Sequence, residues 1–305
     1  MRIYRNGKEI LTKTYIRWGG DYQQAARTLS FVYLPMEEST RVGDKITMYD
    51  DNNNLLFQGM AYITNYNTTT KKYEVDCYDL LNNLLRSTAS GRYVGTATQI
   101  CAQVCNVFGL TSLITFGHTN QQIIATGDLT YYEVLAKSIR KDLDLPVYNI
   151  RALGSNVYLD LPSDILTVAN LSSDTNIREA EYSENIEQMI NRIVIVDDEG
   201  SVLTTKMNQA DLQKFGLLQE VETERYTEDD VLILPELHGV DKTGSIIING
   251  DVKCITGKNV LIAEPKTGFV GKFFIINDEH TWFDNVHETR LGVCLLYTSP
   301  SPRDT

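Results

Sequence analysis

The densest group of side chains able to do chemistry lies near the C-terminal end, where His280 and His287 stand among Asp278, Glu279, Asp284 and Glu288. Imidazoles and carboxylates gathered this way are common zinc ligands. Between the two histidines, Thr281-Trp282-Phe283-Asp284-Asn285 reads as a hairpin turn, so the simpler expectation is a set of exposed turn polars. Asp50-Asp51-Asn52-Asn53-Asn54 has the acidic start of a calcium loop but lacks its central glycine and terminal glutamate. Glu181 with Glu184 and Asp229 with Asp230 are carboxylate pairs of the kind that hydrolyse glycosides, although any acidic chain is rich in such pairs. Cys101 and Cys105 are one helical turn apart, yet no histidine or second cysteine pair lies near them in sequence. The chain has no Gly-x-Ser-x-Gly, no glycine-rich phosphate loop and no cysteine in a catalytic setting. The sequence therefore predicts no catalytic, cofactor-binding or metal-binding residue.

The elements that would position these groups are mostly strands. Tyr15–Trp18 and Thr28–Leu34 form a strand pair around Gly19-Gly20-Asp21. Gly43–Tyr49, a turn at 50–54, Leu55–Tyr66, a turn at 68–72 and Tyr73–Tyr78 complete five or six antiparallel strands, a barrel or sandwich. The spacing then becomes helical: Asp79 is a candidate N-cap for 79–85, Ile100, Val104 and Phe108 make one stripe of a helix over 96–108, and Tyr132, Leu135, Ala136 and Ile139 make another over 130–141. Pro146–Ile150 and Asn156–Leu161 read as a hairpin. From Ile177 strands return, with a helix-leaning connection at 208–216 and 223–234 before a last β region from Ser245 to Val293. The predicted domains are 1–78 (β), 79–176 (α+β), 177–293 (β) and an atypical tail, 294–305.

That tail, from Cys294 through Thr298-Ser299-Pro300-Ser301-Pro302-Arg303-Asp304, resembles a translated sequencing adapter and is excluded from fold reasoning. The natural C-terminus is expected to be missing.

One pattern occurs twice. Leu55-Leu56-Phe57-Gln58-Gly59-Met60-Ala61-Tyr62-Ile63 and Thr267-Gly268-Phe269-Val270-Gly271-Lys272-Phe273-Phe274-Ile275 each follow a glycine-started strand, at Gly43 and Gly257, and each precedes a polar hairpin. The reading is a β module used twice.

Composition narrows the function. Over 305 residues, 42% hydrophobic and 22% charged is a globular balance with room for two or three domains. A net charge of −12 with no basic, aromatic-interleaved run disfavours nucleic acid as a sequence-specific partner. Five cysteines, an odd number without framework spacing, read as core residues of a protein made in a cytoplasm. Neither a membrane span nor a signal peptide is predicted.

Trp18-Gly19-Gly20-Asp21-Tyr22-Gln23-Gln24-Ala25-Ala26-Arg27, Gly91-Arg92-Tyr93-Val94-Gly95, Asn191-Arg192-Ile193, Phe215-Gly216-Leu217-Leu218-Gln219 and the Thr267–Ile275 segment together resemble the XkdQ/YqbQ family, over nearly the whole chain up to Val293. The departure is at 225–244, where Val231-Leu232-Ile233-Leu234-Pro235-Glu236 suits a clean helix poorly. The family supplies baseplate hubs of contractile phage tails and of defective prophages such as PBSX. The resemblance implies a mostly β, α+β fold: two tail-tube-like antiparallel β-barrel domains with an α+β insertion between them. It also implies a non-enzymatic hub that joins tail tube to central spike as a pseudo-sixfold homotrimer in the virion baseplate, its acidic surface not retaining DNA that passes through the lumen. The alternative is a tail-associated cell-wall (peptidoglycan) hydrolase, and a sugar-binding module would need an exposed aromatic platform. Glycines bracketing aromatic and arginine side chains make Trp18, Arg92 and Tyr93 the expected interface residues, with a structural turn around a packing aromatic as the alternative.

Overall fold

Alternating apolar and polar residues put most of this chain into strands. The structure is a computed structural model and describes residues 1–22, 24–35, 39–141, 148–161, 167–224, 232, 235–284 and 286–295. The strands β1 (Arg2–Arg5), β2 (Lys8–Glu9), β3 (Lys13–Asp21), β4 (Thr28–Tyr33), β5 (Lys45–Tyr49), β6 (Leu55–Asn67) and β7 (Lys72–Asp79) come first. Then follow α1 (Leu81–Arg86), β8 (Thr88–Gly95), α2 (Ala97–Val107), β9 (Thr111–Ser112), β10 (Gln121–Thr130), α3 (Tyr131–Arg140), β11 (Asn149–Leu153) and β12 (Asn156–Asp160). The remainder is β13 (Thr167–Ser172), β14 (Ile177–Asn185), β15 (Arg192–Val196), β16 (Val202–Met207), α4 (Gln209–Phe215), β17 (Gln219–Thr223), β18 (Asp241–Asn249), β19 (Asn259–Glu264), β20 (Phe269–Phe283) and β21 (Val286–Cys294). The chain is thus mostly β, and it divides into two compact units, Met1–Ala180 with Ser245–Thr305, and Glu181–Gly244.

The first unit is organised by a half-barrel sheet in the order β14-β18-β21-β20-β3-β4-β7-β6-β5-β1-β2, with β19 also on β20 and β13 on β19. Two arms of this sheet repeat one another. The path β4-β7-β6-β5 corresponds to β18-β21-β20-β19. In the first arm the Gly43 N–H donates to the Ala61 carbonyl (2.8 Å) and the Ala61 N–H to Asp44 (3.0 Å). In the second, Gly257 donates to Ile275 (3.0 Å) and Ile275 to Lys258 (2.9 Å). Both glycines enter their strand at a positive φ, 90° and 88°, which a side chain would resist. A register shift then follows at once in each, between Ala61 and Ile63 and between Ile275 and Asn277. Equivalent positions therefore lie 214 residues apart, the separation of 43 from 257 and of 61 from 275. The sequence match had set Leu55 against Thr267 and so stood two residues out of register, a slip that strand alternation hides because it keeps every side chain on its own face.

The first arm packs Ile16, Leu29, Phe31, Ile46, Met48, Phe57 and Val75 into one core. The second buries Ile246, Ile248, Val260, Ile262, Phe273, Phe274 and Leu291. Between them in sequence, α2 and α3 pack their Ile100, Cys101, Val104, Val134, Leu135 and Ile139 against the β8–β10 pair and the three-stranded sheet β11-β12-β9. Phe108 and Tyr132, assigned to the inward stripes, are only partly buried. Thr96 with Gln99 and Thr130 with Glu133 close capping boxes at the starts of α2 and α3. Asp79 lies one residue ahead of the N-cap of α1, yet its carboxylate accepts the Leu81 N–H (3.0 Å).

The second unit is small. Its β15 pairs antiparallel with β16 and parallel with β17. Asn191, 1% exposed, donates from Nδ2 to the Gly216 carbonyl (2.7 Å) and accepts the Leu218 N–H on Oδ1 (2.9 Å). Two of the segments that carried the family resemblance meet in those bonds. Of the helix-leaning connection, 209–215 is helical (α4), Asn208 caps it through Ala210 and Asp211, and 225–231, 233 and 234 lie outside the described residues. Asp229, Asp230, Pro146, Val147 and 296–305 also lie outside them. No helix among the described residues is long and apolar enough to cross a membrane.

Candidate functional site

The two arms meet where β3 lies antiparallel on β20, Trp18 opposite His280 and Gly20 opposite Asp278. Two glycines near the C-terminal end of β3 make this approach possible. A Cβ on Gly19 would stand 2.4 Å from the Asp278 carbonyl oxygen, and one on Gly20 would stand 2.6 Å from Arg27 Nη1. The space so cleared is filled by a buried fork: Arg27 Nη1 donates to Asp278 Oδ1 (2.9 Å) and Nη2 to Oδ2 (2.6 Å), while the guanidinium lies 4.3 Å over the Trp18 ring. Thr256 adds its N–H and its hydroxyl to Asp278 Oδ1, both at 2.6 Å, and that hydroxyl also lies 2.9 Å from the Gly20 carbonyl. Burial alone would push the Asp278 carboxyl up, but the Arg27 charge and the hydrogen bonds from His280 and Arg27 hold it far below the usual carboxylate range.

On the other side of Arg27 lies a second carboxylate with the opposite tendency. Asp79 accepts the Arg27 N–H on Oδ2 (3.1 Å), and burial pushes its carboxyl up to about 7 against the pull of that N–H, the Leu81 N–H and the Arg27 charge. Further along β20, His280 Nε2 faces two acceptors, the Cys254 carbonyl (3.2 Å) and Asp278 (3.3 Å), and so carries a hydrogen. Its Nδ1 faces the Thr289 hydroxyl (3.0 Å) and His287 Nε2 (3.2 Å). His287 stacks on Trp282 at 4.1 Å, and burial, His280 and the amino terminus bring it down to about 4.

Carboxylate, imidazole and hydroxyl in line have the order of an acid–base relay. Here Asp278 is 4% exposed and His280 and Thr289 are 0% exposed, so a substrate has no path to the hydroxyl in this conformation. The line instead ties β20 to β21, to the 254–256 segment and, through Arg27, to the first arm. The expectation of turn polars at His280 is corrected: β20 runs unbroken to Phe283 and His280 sits inside it. Beside the seam, Lys13, Tyr15, Asp251, Trp282 and His287 line part of an open cleft of about 620 Å³.

Trp18 lies within this seam, 2% exposed and 4.8 Å from the His280 ring. Tyr93 is buried against the helices and its hydroxyl donates to Ser90, whereas Arg92 points to solvent and donates to Gln122. Tyr93 and Arg92 therefore occupy opposite faces of β8, and Trp18 stands apart from both. Gly95 is explained by packing, since a Cβ there would press on Gln99 of the α2 capping box. The Asp50 carboxylate accepts the Asn54 N–H on Oδ1 and the Asn54 side-chain amide on Oδ2 (2.7 Å each), which closes the turn on itself. Burial pushes the thiols of Cys101 and Cys105 up to about 11 and about 12, which suits packing rather than thiolate chemistry. Among the described residues no group of three or more His, Cys, Asp or Glu could hold a metal ion. Sequence reasoning missed Thr256 and the pairing of Arg27 with Asp278; the Gly19-Gly20 pair, read as the break between two strands, belongs to β3 and was the one local sign of the close approach.

A β arm used twice, fused edge to edge and joined by a buried ion pair, defines the architecture as a duplicated β fold. The chain belongs to the YQBQ-like family, whose match covers residues 16–294. It is 24% identical over 269 residues to the phage-like element PBSX protein XkdQ of Bacillus subtilis (strain 168), covering 80% of this chain and 79% of that protein. Its fold matches the 43 kDa tail protein of prophage MuSo2 from Shewanella oneidensis with a TM-score of 0.74 at 12% identity, over 96% of both chains. It also matches the E. coli c3393 protein, a type VI secretion component described as structurally similar to T4 tail proteins gp27 and gp5, with a TM-score of 0.58 at 9% identity, over 98% of this chain and 78% of that one.

Proposed function

We propose that this protein is a structural hub of a contractile phage tail or tailocin baseplate, joining tail tube to central spike as a pseudo-sixfold homotrimer. The observation that carries the reading is the duplication: one chain offers two equivalent arms side by side in one sheet, so three chains offer six. Sixfold and threefold partners can then be matched by a single subunit. The family membership and the tail proteins of like fold support the same reading. In it, residues 1–78 and 177–293 act as tube-like domains around the 79–176 insertion. Arg92, exposed on β8, contacts a neighbouring protein, while Trp18 and Tyr93 support their surfaces from within. The assembled particle is the place of action, and an acidic wall lets DNA pass without holding it.

Negative-stain averages of the purified chain, alone and with tail tubes, test this. Rings of six similar lobes that cap tubes are expected, together with no release of fragments from peptidoglycan. Particles without rotational symmetry, or wall turnover, would point to a hydrolase instead.

A further inference from the structure

The duplication makes a prediction about edges. Within one chain, β3 is laid on the far part of β20, from Asn277 opposite Asp21 to Thr281 opposite Arg17 and on to Phe283. Moved back by 214 residues, 277–281 becomes 63–67, the far part of β6. That edge is open: β5 and the Gly43-Asp44 lead into it bond β6 only as far as Ala61, and among the described residues 63–67 pair with β7 alone. The strand that stands in the place of β3 is also identifiable. As β3 flanks β4 on the side away from β7, β14 flanks β18 on the side away from β21, and β14 is the last strand of the sheet at that end. The chain thus carries one of its two equivalent joints made and the two halves of the other unmade.

We infer that β14 of one copy pairs antiparallel with residues 63–67 of β6 in the next copy, in the manner of β3 on β20. Exposure agrees with the equivalence. Asp278 and His280, buried under β3, correspond to Thr64 and Tyr66, and Tyr66 is 44% exposed with Ile63 beside it at 46%. A strand laid on this edge would cover both, and open edges of this length are otherwise a route to misassembly. Charge agrees as well: β14 carries Glu179, Glu181 and Glu184 against one arginine, Arg178, and β6 runs into a turn that ends at Lys71, with Lys72 first in β7. The contact is heterologous, and with a rotation that closes it gives a ring in which intrachain and interchain joints alternate. Three copies per ring rests on the hub reading above; the pairing of the two edges rests on the internal repeat.

Hydrogen exchange of the full chain, read by mass spectrometry below and above its assembly concentration, tests the contact. Exchange should slow in 63–67 and 177–185 on assembly. Tyr66→Asp and Glu181→Lys, both on exposed side chains, should each weaken assembly by at least about tenfold through unmatched charge at the joint. Charge reversal on both sides of the joint within one chain, Lys71→Glu and Lys72→Glu together with Glu179→Lys and Glu181→Lys, should recover it. An assembly protected in other strands and indifferent to these variants would overturn the contact and leave the hub reading standing. A chain monomeric at every concentration would overturn both.

Discussion

Removing either partner of the Arg27–Asp278 fork should cost far more than a typical surface ion pair. Both side chains are nearly sealed from water, at 8% and 0% side-chain exposure, and among the described residues each is the other's only bidentate partner. Truncating one leaves a buried charge uncompensated, a loss of about 3–5 kcal/mol. Arg27→Met should fall at the lower end, because Asp278 keeps Thr256 and His280. Asp278→Asn should fall at the upper end, because the guanidinium then keeps only an amide oxygen, the Trp18 face and the charge of Asp79 in place of its bidentate carboxylate. The double variant should lose less than the two singles together by about 2 kcal/mol, the signature of direct coupling. Urea unfolding followed by tryptophan emission reads this well, since Trp18 lies under the guanidinium. A cost below about 1 kcal/mol for Asp278→Asn, or strict additivity, would refute the argument that this pair holds the arms together.

Three further outcomes follow from the geometry. Asp79 takes up its proton on folding near pH 7 rather than 4, so its contribution is full at acid pH and is lost as pH rises through about 7; His287, brought down to about 4, makes stability fall as pH drops from about 6.5 toward 4. The two oppose between pH 4 and 6.5, and relative to wild type Asp79→Asn should make stability rise more steeply with pH there, while His287→Gln should make it rise less, in thermal melts at several pH values. Asn191→Ala, which strands the Gly216 carbonyl and the Leu218 N–H, should cost about 2 kcal/mol and speed proteolysis within 181–244 before the rest of the chain is cut. Gly59→Ala would set a Cβ 2.1 Å from the Tyr78 carbonyl, so soluble yield or melting temperature should drop markedly, whereas Gly200→Ala, with open space around it, should cost only its positive-φ strain.

The elements were legible wherever local pattern decides them. Helices α2 and α3 and the meanders β5-β6-β7 and β19-β20-β21 follow from side-chain period, and the repeat was visible because both copies keep glycine at the strand entrance. Its register was not, since a two-residue slip preserves alternation. The seam was illegible for a different reason: Arg27 and Asp278 are 251 residues apart, and no periodicity within either segment refers to the other. His280 was misread because Asp, His and Asn around an aromatic pair suit a turn as well as a strand, and burial by β3 is a tertiary fact. The short β1 and β2 and the β8–β10 pair carry too little alternation to be read alone.

The measurement that bears most directly on the scaffold account is native mass by sedimentation over a range of concentrations. A species of three times the 34.5 kDa chain is expected, reached with rising concentration and lost on Tyr66→Asp. A mass that stays at 34.5 kDa throughout, or an even-numbered assembly, would contradict it.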